Sequence, residues 1–224
     1  MVSLVFDSSS LIAVSETCNI EVLYFLKERT RGNFLIAPIV KDEIILHPIK
    51  VKKFELSAVR LKKLLLDGVV SVISSHLLVK ETREIMDLAN GIFHVDGKPL
   101  KLVHDGEAAS IAVFSFAKAD ALVVDEKTTR LLLEAPFKMR ETLQSEYEGK
   151  LEINEDGLKK FREKTKGIFV LRSSELVAMA AKKGFFKNYR TSEEEAFRAS
   201  IYALRQAGCS LTSEELKEYE GIRL

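Results

Sequence analysis

Residues 105–133 read DGEAASIAVFSFAKADALVVDEKTTRLLL, and this stretch decides the fold class. Through Lys118 it is a helix rich in small residues, able to pack closely against its neighbours. Ala121 to Val124 then forms a short apolar strand ending on Asp125, and Lys127 to Leu133 returns to helical spacing. The same alternation extends upstream. Val2 to Phe6 is a β-prone run that stops at Asp7, and three serines follow as a helix cap before Leu11 and Ile12. Asn33 to Ala37 is a second strand, and Pro38 opens a helix carrying Val40, Glu43 and Ile44, since a missing N–H costs nothing at a helix start. Helical periodicity through Phe54, Ala58, Leu61 and Leu65 leads to a strand at Val69 to Ile73. Val79 to Ala89 is helical, and Asp96-Gly97 marks a turn or short hairpin. With a last strand at Ile168 to Leu171, the order predicts an α/β fold: a parallel sheet of about five strands with helices on both faces.

Residues 136–167 differ from their surroundings. Charge is dense and apolar residues are sparse, which predicts a charged insertion or protruding helical arm. Ser173 to Lys183 is a capped helix stopped by Gly184. Residues 185–224 then predict a C-terminal helical extension, with helices over Ser192 to Gln206 and Ser213 to Tyr219, beyond a first domain of residues 1–184.

Composition sets the outer limits. The chain of 224 residues is 46% hydrophobic and 30% charged, enough for a core of its own. A net charge of +1 gives no global basic field, so affinity for a polyanion has to come from a local patch. Cys18 and Cys209 stand far apart in no ligand spacing, which speaks against a disulfide framework or zinc site and for a reducing cytoplasm. No signal-peptide pattern and no apolar run of about 18 residues is present, so no membrane association is expected.

The chemistry lies in the acids. Asp7 and Asp125 end two strands, and in an open parallel sheet the ligand crevice lies outside the carboxyl ends of the strands. Glu43, soon after Pro38, and Glu107, beside Gly106, sit where helices would face that crevice. Crowded carboxylates repel unless protonated or neutralised by a cation, and oxygen ligands suit Mg²⁺ or Mn²⁺ rather than zinc. Metal-dependent phosphodiester hydrolysis is the chemistry such a cluster supports, with 5′-phosphate and 3′-hydroxyl products.

Four motifs in this order resemble the PIN-domain nucleases: VFDSSSLI around Asp7, APIVKDE ending on Glu43, DGEAASIA from Asp105, and ALVVDEK around Asp125. The resemblance covers residues 1–135, with 168–184 as closing strand and helix. It implies a Rossmann-like (PIN-like) sheet and a metal-dependent endoribonuclease acting on single-stranded or loop RNA. On that basis Asp7, Glu43, Glu107 and Asp125 are the catalytic and metal-binding acids, and Ser9 is the hydroxyl that orients a carboxylate or water. Asp105 competes with Glu107 for the metal-facing position, and the Gly-Glu-Ala context favours Glu107. The length and charged insertion point away from a toxin of a toxin–antitoxin pair and toward RNA processing or ribosome maturation. The family also brings in a homodimer, or a protein partner or antitoxin, as expected company.

Other readings fit less well. A phosphatase using Asp7 as nucleophile would want a second aspartate two residues later, where Ser9 stands. A non-catalytic RNA- or protein-binding scaffold would have lost an acid. A structure-specific DNA nuclease would carry a duplex-binding element, and none is legible. Each acid taken singly also has an ordinary role as helix cap or solvated residue. For RNA contacts, Lys50, Lys52, Lys53, Arg60, Lys62 and Lys63 form a basic cluster after Glu43. Residues 182–190 interleave Phe185, Phe186 and Tyr189 with positive charge, and Lys159 to Lys166 forms a third basic block.

Overall fold

A computed structural model describes residues 2–189 and 192–224. β1 (Ser3–Phe6) leads into α1 (Ser8–Glu16) and α2 (Glu21–Thr30). β2 (Asn33–Ile36) is followed by α3 (Pro38–Lys41), which runs on as a π-turn over Asp42–Leu46, and by α4 (Glu55–Leu66). β3 (Ser71–Val72), α5 (His76–Asn90) and the short strands β4 (Phe93–Val95) and β5 (Lys98–Pro99) come next. Then follow α6 (Asp105–Ala117), β6 (Ala121–Val123), α7 (Lys127–Glu134) and α8 (Pro136–Glu146). β7 (Leu151–Ile153), α9 (Glu155–Lys164), β8 (Val170–Leu171), α10 (Ser173–Lys182), α11 (Glu193–Gln206) and α12 (Ser213–Glu220) complete the order.

The main sheet has five strands in the order β3-β2-β1-β6-β8, every neighbouring pair parallel. Parallel sheets bury both faces under helices, so their strands are continuous apolar runs. Leu4, Val5 and Phe6, Phe34 to Ile36, and Ala121 to Val123 are accordingly all buried. The register sets Phe6 against Val123, so β1 and β6 finish side by side. Chain order reverses direction between these two strands, and such a switch point opens a crevice at their carboxyl ends. Asp7 is the first residue beyond β1, and its N–H donates to the Val123 carbonyl at 2.9 Å.

The central helix α6 lies against α5, α3 and β1. Ala108, Ala109, Ser110 and Ala112 are buried along it, so its small side chains let those neighbours approach. The hairpin expected at Asp96-Gly97 is formed by β4 and β5, with φ of 50° and 73° at the two turn residues, as a type I′ turn requires.

The charged segment folds back onto the body of the protein. β7 pairs antiparallel with β4, making a second sheet in the order β5-β4-β7. α9 packs on α5 through Leu158 and Phe161, both buried, and Lys164 bridges to Glu81 and Glu84 at 2.9 and 3.0 Å. Its few apolar residues suffice because helical spacing gathers them on one side. The C-terminal helices are equally integrated. Edge-on rings run from Phe25 through Phe185, Phe186 and Phe197 to Tyr219, tying α2 to α11 and α12. Among the described residues, no helix is long and apolar enough to cross a membrane.

Candidate active site at the sheet switch point

Asp7 is 1% exposed and caps α1. Its Oδ2 accepts the Ser9 N–H at 3.1 Å and the Ser9 hydroxyl at 2.7 Å. The other oxygen, Oδ1, is buried without a hydrogen-bond partner among the described residues. A helix cap needs one carboxylate oxygen, so capping leaves the second unexplained. Burial, reinforced by the negative charge of Glu107, pushes the Asp7 carboxyl up to about 7 despite the Ser9 hydrogen bonds and the nearby Ser8 N–H, which lower it.

Glu107 reaches this position from the first turn of α6, where its Oε2 accepts the His104 N–H at 2.8 Å. Glu43 approaches from the π-turn, a local widening that recurs at functional sites. Its carboxylate lies over Gly106: a Cβ there would fall 2.6 Å from Oε2 and 2.8 Å from Oε1. Half-burial raises the Glu43 carboxyl, the Ser8 hydroxyl lowers it, and Glu107 and Asp105 raise it further. Asp105 is exposed and lines a different hollow, of about 480 Å³, beside Arg83 and Met86. Glu107 faces a cleft of about 310 Å³ with Lys101, Lys127 and Tyr147 on its walls. Glu107 is thus within electrostatic reach of both Asp7 and Glu43, and Asp105 within reach of Glu43.

Asp125 stands next to this group and is turned to another task. Its Oδ1 accepts the Ser173 N–H at 2.7 Å and its Oδ2 accepts the Ser173 hydroxyl at 2.6 Å. Burial raises its pKa, while Ser173 and the Cys209 thiol lower it and the charge of Glu175 adds to the rise. The link back to Asp7 runs through the main chain. Asp125 N–H donates to Ser9 Oγ at 3.1 Å, and Ser9 Oγ donates to Asp7 Oδ2. The C-terminal segment closes over this joint, with Ser210 N–H donating to the Asp125 carbonyl at 3.2 Å. Arg172, paired with Glu175 of α10 at 2.6 Å, fixes that segment through the Ser210 carbonyl at 3.0 Å and Glu215 at 2.7 Å.

Ser8, Ser173, Cys209 and Arg172 therefore belong to the surroundings of the acids, a role the sequence reading did not give them. Ser8 sits within the quoted serine run, whereas Ser173 is 48 residues from Asp125 with no local pattern joining them. Of the basic cluster after Glu43, Lys63 pairs with Asp67 and the Tyr24 hydroxyl, and Arg60 donates to the Ser15 carbonyl at 2.9 Å. Lys53 lies over the Phe54 ring, while Lys50 and Lys52 are exposed. Phe186 is buried in the aromatic chain, and Arg190 lies outside the described residues.

Among the described residues, no three acids, histidines or cysteines converge as a ready-made metal cage. The donor set still suits a hard cation, because Mg²⁺ commonly keeps several waters and binds through one or two carboxylates together with substrate phosphate. Asp7 Oδ1 is the orphaned oxygen that such an ion would complete, with the charge of Glu107 felt at the same carboxylate. No protein-family model, curated protein or solved structure matches the chain.

Proposed function

We propose that the protein is a divalent-metal-dependent endoribonuclease of the PIN-like type, cutting single-stranded or loop RNA in RNA processing or ribosome maturation. The observation that carries this reading is the unpartnered, buried Oδ1 of Asp7 beside Glu107 at the switch point of a parallel sheet. An anionic oxygen left dry and unpaired costs several kcal/mol, on the order expected for a buried ion, unless a proton or cation completes it. In this reading Asp7 and Glu107 hold Mg²⁺ or Mn²⁺, and Glu43 borders the same site from the π-turn. The bound cation would supply activation of water and charge neutralisation at the scissile phosphate. Ser9 holds Asp7 Oδ2, which would leave Oδ1 for the cation. Asp125 acts through its main chain on Ser9 and through its carboxylate on the start of α10.

The test is cleavage of a structured RNA with single-stranded loops by wild type and Asp7→Asn, with Mn²⁺ or EDTA. Manganese-dependent cutting that is lost in the variant supports the reading. Undiminished cutting by Asp7→Asn, or none by wild type with Mn²⁺, overturns it.

A further inference from the structure

Besides Lys50 and Lys52, a second set of cations faces solvent unpaired. Lys159, Arg162 and Lys166 project from α9 and the turn after it into an open groove of about 370 Å³. Among the described residues, none of the three makes an ion pair or a side-chain hydrogen bond. Lys159 has an acid four residues away on each side, Glu155 and Glu163, and pairs with neither, although that spacing favours pairing on a helix. Lys164, on the opposite side of α9, is by contrast engaged with Glu81 and Glu84. The far wall of the groove is Phe137, a residue of α8 that is 67% exposed.

An aromatic ring left in water beside cations is the arrangement that grips a nucleic-acid strand without a partner strand. The ring stacks on a base, while the cations follow the phosphates. A duplex would hide its base faces from Phe137, whereas an unpaired strand presents them. The two acids in the groove, Glu155 and Glu163, are outnumbered by its three cations, so the local balance favours a polyanion although the whole chain is near neutral. The burial of Leu158 and Phe161 beneath makes the platform rigid.

We propose that the groove between α8 and α9, formed by Phe137, Lys159, Arg162 and Lys166, is a binding site for single-stranded nucleic acid, with RNA as its ligand. The inference deepens the proposed ribonuclease reading by naming where the strand is held outside the acidic site. Its binding does not require the metal, so the two can fail separately.

The experiment is fluorescence anisotropy with a fluorescein-labelled oligouridylate of about twelve nucleotides in EDTA, a length matching common single-strand sites. An oligodeoxythymidylate of the same length is run in parallel. Phe137→Ala is expected to weaken binding about tenfold. The combined Lys159→Gln, Arg162→Gln and Lys166→Gln variant is expected to flatten the slope of log affinity against log salt by about 2, near 0.7 for each lost phosphate contact. Both variants alter exposed side chains and should melt as wild type does. Preference for the RNA strand assigns a role to the 2′-hydroxyl, and equal binding assigns recognition to bases and phosphates. Wild-type affinity and salt slope in both variants, or no binding by wild type at low salt, overturns the proposal. Asp7→Asn is expected to bind the strand normally, so loss of cutting with retained binding separates the two sites.

Discussion

Replacing Asp7 by Asn should make the protein more stable at alkaline pH, because the native carboxylate is held where its charge is unwelcome. Asn keeps an oxygen for the Ser9 N–H and hydroxyl, removes the negative charge near Glu107 and puts a neutral amide NH2 in place of Oδ1. The Asp7 carboxyl is raised from an ordinary 3.8 to about 7. The folded protein thus holds this proton more tightly than the unfolded chain does. Its contribution to stability is complete below the unfolded value, falls as pH climbs, and is lost once pH passes about 7. The gap of roughly 3 units corresponds to about 4 kcal/mol at full ionisation. Asn leaves its amide without a charged acceptor of its own, so a gain on the order of 2–4 kcal/mol is expected near pH 8. Urea unfolding followed by circular dichroism, in EDTA at about pH 4 and about pH 8, measures this directly. The two proteins should nearly coincide at the acidic end and separate at the alkaline end, with wild type the weaker. Added Mn²⁺ should restore wild type by about 2.7 kcal/mol when free metal is about 100 times its dissociation constant, and leave Asp7→Asn unmoved. A stability difference that does not change with pH would refute the account of a desolvated, charge-crowded Asp7.

Gly106→Ala is expected to separate folding from chemistry. Alanine favours a helix over glycine by about 1 kcal/mol, and the atoms in its way belong to the movable end of Glu43, so the melting temperature should hold or rise. Displacing that carboxylate should cut the rate of RNA cleavage at least tenfold, and an unchanged rate would remove Glu43 from the site. Arg172→Ala should destabilise the fold by about 2–3 kcal/mol in urea titrations, less than the ~3–5 for a fully buried pair because Glu175 and Glu215 are partly exposed. Loss of less than about 0.5 kcal/mol would mean that the Arg172 bridge does not hold the C-terminal segment.

Much of the architecture was readable along the chain because it depends on local periodicity. The short apolar runs within residues 3–6, 33–36 and 121–123, alternating with helical spacing, point to buried strands of a parallel sheet, which the structure shows in the order β3-β2-β1-β6-β8. The turn at Asp96-Gly97 was equally local, since its two positive φ values are demands on the turn residues alone. The positions of Asp7 and Glu107, at a strand end and in a helix first turn, followed from the same reasoning.

Pairing across the fold was decided elsewhere. Asp7 and Asp125 look alike in sequence, each following an apolar strand, yet one keeps a bare buried oxygen and the other gives both oxygens to Ser173. That difference arises because β8 delivers the start of α10 beside β6, a contact between residues 48 apart that no local pattern encodes. The charged segment reads as an arm because its apolar residues are few, and only the docking of α9 on α5 and of β7 on β4 shows what they bury. The same packing directs Lys164 inward to Glu81 and Glu84 and leaves Lys159, Arg162 and Lys166 facing solvent beside Phe137. Sequence by itself determined the main-sheet strands, the helices between them and which acids stand at their ends, because hydrophobic spacing and capping act over a few residues. Tertiary structure alone decided which oxygen is left unpaired and which cations remain free, because a hydrogen bond or ion pair depends on what the rest of the chain brings within about 3 Å.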